Sequence, residues 1–335
     1  MNTYIIAEVG QAHDGSIGIL HSYIDAIAEI GVDAVKFQTH IADAESSQFE
    51  KFRVKFSYKD KTRYDYWKRM EMTLEEWVVV KKHCENVGLD FISTPFSCAA
   101  VDLLENIGVS SYKIGSGDVN NLLLLSKICK TNKDIIISSG MSSQQELDIA
   151  VSTINNHGNK LSVLQCTTEY PTPPEKLGLN LIASLKKRYD LPIGLSDHSG
   201  IVYTGLAAVA LGAEIYESHV VFNKRMFGPD SVASLDIKEF KHLVKGIKYI
   251  NKIASNTIIK DDNNQNNKLK KIFGKSLAVN KNISKGHILT EEDLESKKPC
   301  GKGIPVNQYR SVIGGTINKS KKKYDFLLDT EVDVI

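Results

Sequence analysis

The sequence predicts an α/β protein, a (β/α)8 TIM barrel followed by a small β-rich C-terminal domain, and three observations predict it. Eight short β-branched runs alternate with segments of helical period over residues 1–258. Polar and charged residues collect at the C-terminal ends of those runs, where parallel α/β sheets carry their chemistry. A polar, low-complexity stretch, residues 259–272, then breaks the pattern and reads as a linker before a last segment, 273–335.

The eight runs are Tyr4 to Val9, Ala34 to Gln38, Asp90 to Ser93, Ser111 to Ile114, Asp134 to Ile137, Leu161 to Gln165, Pro192 to Leu195 and Glu214 to Glu217. A parallel sheet needs a crossover after each strand, and eight such units can close on themselves. The helices between them carry start and stop signals. Thr73 with Glu76 forms a capping-box pattern opening Leu74 to Val87, which Gly88 can end in the left-handed conformation. Ser143 with Glu146 and Asp236 with Glu239 repeat it, and Phe240, Leu243, Val244, Ile247, Ile250 and Ala254 recur at helical spacing on one core-facing stripe. The connection from His40 to Met72 is too long for an ordinary loop and rich in aromatic residues, so it either covers the barrel mouth or packs on itself as an insertion.

Beyond the linker, Ser276 to Val279 and Ile304 to Val306 are short β-type runs, and Thr290 to Leu294 reads as one short capped helix. A segment of this size has a limited core and leans on a partner surface. The basic run Lys319 to Lys323 is most simply a solvated turn, because no aromatic platform accompanies it.

A formal net charge of +2 offers no general attraction for a polyanion, so nucleic acid is not an expected partner. Five cysteines without CxxC spacing fit reduced thiols, and the N-terminus shows neither a basic leader nor a long apolar run. The expectation is a cytoplasmic protein with no membrane span.

Glu8 ends the first run, Lys36 and Gln38 lie on the second, and Thr94 follows the third. Lys113, Ser116 and Asp118 close the fourth, Ser138 the fifth, Thr168 and Tyr170 the sixth. Lys36 and Lys113 with Thr94, Ser116, Ser138 and Ser196 make a pocket suited to a small phosphate-bearing anion, since ammonium groups neutralise it and hydroxyls donate. Each lysine taken alone could equally sit in a structural ion pair with Glu8 or Asp118. His198 and His219 end consecutive runs; singly each could be an ordinary hydrogen-bonded histidine, but as a pair they suit a divalent transition metal acting as a Lewis acid. Asp197 would orient an imidazole or cap a helix.

Taken in order, Ala7-Glu8-Val9-Gly10, Val35-Lys36-Phe37-Gln38, Ser93-Thr94-Pro95-Phe96, Tyr112-Lys113-Ile114-Gly115-Ser116-Gly117, Tyr170-Pro171-Thr172-Pro173, Gly194-Leu195-Ser196-Asp197-His198 and Gly228-Pro229-Asp230 resemble the sialic acid synthase (NeuB) family. The segment from Phe273 onward is similar to that family's antifreeze-like (SAF) domain. The resemblance implies a phosphoenolpyruvate-dependent transferase that condenses phosphoenolpyruvate with N-acetylmannosamine or a related N-acylated hexosamine to give a nine-carbon 2-keto-3-deoxy acid and phosphate. It implies manganese as cofactor, with magnesium or cobalt as alternatives, on His198 and His219. Lys36, Thr94, Lys113, Ser116, Ser138 and Ser196 would hold phosphoenolpyruvate, while Glu8, Gln38, Tyr170 and Asp230 would face the sugar or the attacking water. Glu8 or Asp118 is the candidate for steering that water. A domain-swapped homodimer is implied as well.

Four departures from the family pattern bear on the sugar. Ala12-His13-Asp14-Gly15 stands for Asn-His-Asn-Gly, Asp118 for Glu, Thr168-Glu169 where an Asn helps read the sugar, and Lys298 for an Arg whose planar fork of donors lysine lacks. The alternatives are a legionaminic or pseudaminic acid synthase using a 2,4-diacetamido-2,4,6-trideoxyhexose, a synthase of shorter keto-deoxy sugar acids, and a non-catalytic sugar- or ice-binding protein.

Overall fold

The computed structural model describes residues 2–54, 56–260 and 267–334. They form two compact units, divided between Asn256 and Thr257.

The first unit is built on eight parallel strands: β1 (Tyr4–Glu8), β2 (Ala34–Thr39), β3 (Asp90–Pro95), β4 (Ser111–Ile114), β5 (Asp134–Ser138), β6 (Leu161–Cys166), β7 (Ile193–Asp197) and β8 (Ile215–Val221). Each pairs with the next, and β1 also pairs with β8, which closes the barrel. Every expected run is a strand. The eighth extends past its expected end to Val221 because Val220 and Val221 gain a further parallel partner, β9 (Leu235–Asp236).

The strands are buried on both faces, as a barrel requires. Inside, Ile6, Ala34, Ile92, Ile136, Leu164 and Ile215 fill the lower barrel with apolar side chains. Outside, a larger apolar layer receives the helices α1 (Ile17–Ala28), α4 (Leu74–Asn86), α5 (Cys98–Asn106), α6 (Leu122–Cys129), α7 (Gln144–His157), α8 (Asn180–Tyr189), α9 (Val202–Ala210) and α10 (Ile237–Ala254), while α2 (Ala42–Glu45) and α3 (Arg63–Met70) lie in the connection after β2. The three expected capping boxes are formed at α4, α7 and α10. The stripe on α10 ends differently from expectation. Ala254 is exposed and Asn251 is buried instead, accepting the Thr3 hydroxyl at 3.0 Å, so the last turn is anchored by a polar contact.

The long connection after β2 both packs on itself and reaches the barrel mouth. Ala42, Tyr66, Trp67 and Met70, with Phe52, Phe56 and Tyr64 against them, make a separate apolar cluster. Arg53, in the same connection, pairs with Asp230 at 2.7 Å and lies over the Tyr170 ring, 4.1 Å from its centroid.

In the second unit, the stretch expected as a linker contains a helix, α11 (Asn267–Phe273), and its residues 261–266 lie outside the described ones. Antiparallel pairs β10 (Ser276–Val279) with β11 (Leu294–Lys297), and β12 (Thr316–Ile317) with β13 (Val332–Asp333), surround a small core that includes Leu277, Ile283, Leu289, Ile317 and Leu327. Of the second expected β run, Pro305 makes one bridge to Ser276, and a 3-10 turn begins at Val306. Within the basic run, Lys321 is largely buried and pairs with Glu331, so that turn is stapled as well as solvated.

Candidate active site

At the C-terminal end of the barrel, an open cavity of about 590 Å³ is lined by side chains from almost every strand. Its floor is charged. Glu8 on β1 lies beside Lys36 on β2 in the strand register, and their side chains form an ion pair. Lys113 on β4 donates to both oxygens of Glu217, at 2.7 and 2.9 Å, and Ser196 donates to the first of them at 3.1 Å. Lys36 Nζ is 3.7 Å from Glu217 and 3.4 Å from Thr94 Oγ1. Burial raises the Glu217 carboxyl, but the two ammonium groups outweigh it and hold it below the ordinary carboxylate range. Burial lowers Lys36 and Glu217 opposes that shift; with Glu8 also in contact, the ammonium form is the one this cluster retains.

Above this floor lies a cradle of hydroxyl groups. Ser116 Oγ accepts the Gly140 N–H at 3.0 Å, and Ser138 Oγ is buried without a hydrogen-bond partner among the described residues. A buried hydroxyl with no partner inside a cavity is a place for a ligand oxygen. Gly140 keeps that space open: a Cβ there would come within 2.5 Å of Thr168 Oγ1 and 2.8 Å of Ser116 Oγ.

The two histidines converge. Their ring centroids are 5.5 Å apart, with Tyr170 at 4.1 Å from His198 and 6.2 Å from His219. His198 Nδ1 donates to the Thr167 carbonyl at 3.2 Å, which leaves Nε2 with a free lone pair. Burial first, then the neighbouring His219, lowers His198 to about 3; burial and then Lys36 lower His219 to about 3. Both rings are therefore neutral near pH 7 and able to ligate. Among the described residues no group of three or more His, Cys, Asp or Glu side chains converges on one point. The donor set is two imidazoles, which fits an exchangeable divalent ion whose other positions belong to substrate and water.

Lys36, Gln38, Thr94, Lys113, Ser116, Ser138, Thr168, Tyr170, Ser196, His198, His219 and Glu8 all line the cavity. Asp118 does not. It ends a 3-10 turn, Ser116–Asp118, in which Ser116 and Gly117 face the cavity while the Asp118 carboxylate accepts Asn121 Nδ2 at 2.9 Å. Asp197 neither orients an imidazole nor caps a helix; it accepts the Ser199 N–H at 2.8 Å and the Tyr216 hydroxyl at 2.9 Å. Asp230 lies beside the cavity, in a small void shared with His219, and is held by Arg53. Lys298 belongs to the second unit, its ammonium 5.1 Å from the centre of the Phe273 ring.

Glu217, Arg53, Phe96, Met141 and Cys166 are among the residues that sequence reasoning left out of the site. Glu217 carried a signal: two positions before His219 on one strand, it points to the same face.

A closed parallel barrel with a buried lysine–glutamate floor, a hydroxyl cradle and two neutral imidazoles at its mouth defines an enzyme handling a small anion. The chain belongs to the NeuB family, which matches residues 23–258, and is an enzyme of the sialic acid synthase type. The N,N'-diacetyllegionaminic acid synthase of Campylobacter jejuni is 35% identical over 331 residues, covering 97% of this chain and 98% of that one. The N-acetylneuraminate-9-phosphate synthase of Homo sapiens is 30% identical, with 98% and 92% covered. Among solved structures, an N-acetylneuraminic acid (sialic acid) synthetase from Leptospira borgpetersenii superposes with a TM-score of 0.72 at 30% identity, over 81% of this chain and 91% of that one. Among the described residues no helix is long and apolar enough to cross a membrane.

Proposed function

We propose that this chain is a nonulosonic acid synthase: it condenses phosphoenolpyruvate with N-acetylmannosamine or a related N-acylated hexosamine, with uptake of water, and releases a nine-carbon 2-keto-3-deoxy acid and phosphate. The observation that carries this reading is the buried Ser138 hydroxyl, without a partner among the described residues, in a cradle whose floor holds Lys36 and Lys113. Lys36, Lys113, Thr94, Ser116, Ser138 and Ser196 bind the phosphate-bearing substrate and orient it. Carbon three of phosphoenolpyruvate attacks the open-chain aldehyde, water adds at carbon two, and phosphate leaves. Glu8, whose Oε1 accepts Gln38 Nε2 at 2.8 Å, is placed to hold that water and take its proton. Asp118, bonded to Asn121, is not proposed for this task. His198, through its free Nε2, and His219 would hold a divalent ion, Mn2+ in our reading, which when bound polarises a carbonyl oxygen. Thr168, Tyr170 and Asp230 would face the sugar. A domain-swapped homodimer in which Lys298 takes part in sugar recognition completes the proposal; light scattering that finds a monomer at micromolar concentration would remove this last part.

A second sugar is supported by the 35% identity to the Campylobacter jejuni relative: a 2,4-diacetamido-2,4,6-trideoxyhexose, giving a legionaminic-type or pseudaminic-type acid. The test is phosphate release with Mn2+, phosphoenolpyruvate and a panel of these aldoses. Release is expected with one of them, and chelation by EDTA or His198→Ala should abolish it. No release with any aldose would sink the proposed condensation with these sugars.

A further inference from the structure

The long connection after β2 is tied to the cavity floor by a buried chain of hydrogen bonds. Tyr66 on α3 donates its hydroxyl to Gln11 Oε1 at 2.9 Å, Gln11 Nε2 donates to Gln38 Oε1 at 3.1 Å, and Gln38 Nε2 donates to Glu8 Oε1 at 2.8 Å. His40 joins from the other side, with Nε2 3.3 Å from Gln38 Oε1 and Nδ1 2.8 Å from Glu45 Oε1. Tyr66, Gln11, His40 and Glu8 are 1%, 8%, 3% and 2% exposed, whereas Gln38, where the links meet, is half-buried in the cavity wall.

The chain allows only one polarity. A carboxylate accepts and never donates, so Glu8 requires the amide nitrogen of Gln38 to face it. That turns the Gln38 oxygen toward Gln11, which must donate, and toward His40, whose Nε2 donates to it only when both ring nitrogens carry hydrogen, because Nδ1 faces the Glu45 carboxylate. Gln11 then has its oxygen toward Tyr66, where the hydroxyl donates. His40 is held in place by stacking between Trp67, 3.9 Å away on the same helix as Tyr66, and Phe96, 4.7 Å away in the cavity wall. Helix α3 therefore reaches Gln38 by two routes, one through Gln11 and one through His40. Both routes meet the anion cradle only through Glu8, which pairs with Lys36.

We propose that Tyr66, Gln11 and His40 are positioning residues for the reaction: they fix the Gln38 amide so that Glu8 is presented in one orientation, and they make that orientation depend on the seating of α3. This rests on the reading that Glu8 acts in the reaction. With Gln11 replaced by methionine, the Gln38 amide is free to rotate and Glu8 loses a defined donor, while the phosphate-bearing substrate keeps its contacts.

The test compares Tyr66→Phe, Gln11→Met, His40→Asn, the Tyr66→Phe/Gln11→Met double variant and Glu8→Gln in the full chain. Each is assayed with Mn2+, phosphoenolpyruvate and whichever of N-acetylmannosamine and a 2,4-diacetamido-2,4,6-trideoxyhexose the unmodified enzyme turns over faster. Gln11→Met and His40→Asn should each lower kcat roughly tenfold, with the KM for phosphoenolpyruvate and its calorimetric affinity within about twofold of the unmodified values. Tyr66→Phe, which removes one hydroxyl and keeps the packing, should lose roughly threefold alone and nothing more when added to Gln11→Met, because it acts through that residue. Independent, multiplying losses, or loss of phosphoenolpyruvate binding in step with kcat, would mean a general structural role and overturn the proposal. Full kcat in Gln11→Met beside an inactive Glu8→Gln overturns the relay alone; full kcat in Glu8→Gln overturns the reading of Glu8 on which it rests.

Discussion

Glu217 sits fully inside the protein between two ammonium groups, and its worth to the enzyme is set by what remains when one of them is removed. Lys113→Ala leaves a buried carboxylate with Lys36 at 3.7 Å as its remaining cation, a change that should cost about 3–5 kcal/mol in urea unfolding and abolish phosphoenolpyruvate binding. If the variant unfolds at the same urea concentration as the parent, the pair contributes nothing to the fold. The lysines and hydroxyls were legible from sequence because such side chains at strand ends do not suit an apolar barrel filling. Glu217 was passed over although it closes the eighth expected run and shares a strand face with His219, because it was counted only as part of the strand. Asp118 misled for the converse reason: it follows two residues that do face the cavity, and only the turn geometry shows its carboxylate satisfied by Asn121. Arg53 had no signal, lying in a segment with no period, and only the fold brings it to Tyr170.

At the scale of elements, strands and capped helices were legible because each carries its own local chemistry, such as Thr73 with Glu76. How closely two strands approach is not local. Gly194 on β7 illustrates this: a Cβ there would lie 2.2 Å from the Ile215 carbonyl oxygen on β8, a backbone atom that cannot move aside without opening the barrel. Gly194→Ala should therefore lower stability by about 1–3 kcal/mol or more, seen as an earlier thermal transition together with weakened metal binding, because β8 carries His219. A transition temperature equal to the parent's would show that the strands can separate without cost. The connection after β2 escaped a single reading from sequence because its aromatic residues serve two purposes, an apolar cluster of its own and contact with the mouth.

At the scale of the molecule, the second unit has a small core and depends on polar staples. Asp293 is buried; burial raises its carboxyl, but Lys281, His287 and the Thr290 N–H donate to it and hold it well below the usual range. A carboxyl depressed in the folded state contributes stability that is complete above its unfolded value of about 4 and is lost as pH falls through the lower folded value. Amide exchange in residues 276–297 should therefore accelerate as pH is lowered below about 4, after correction for intrinsic rates, and Asp293→Asn should remove that acid-dependent part. An unchanged acid response in Asp293→Asn would assign it to other groups.

Closure of the barrel between β1 and β8 has a consequence for how the enzyme comes into being at the ribosome. Glu8, Lys36 and Lys113 leave the exit tunnel early, whereas Glu217 and His219 arrive together on the eighth strand, opposite the first. Until that strand docks, the nascent floor holds two lysines without their shared carboxylate, and the second imidazole does not exist. No shorter intermediate of synthesis can assemble the floor of Lys36, Lys113 and Glu217 or bring the two imidazoles together. Completion of the ring is thus the moment at which the charged floor of the cavity comes into being.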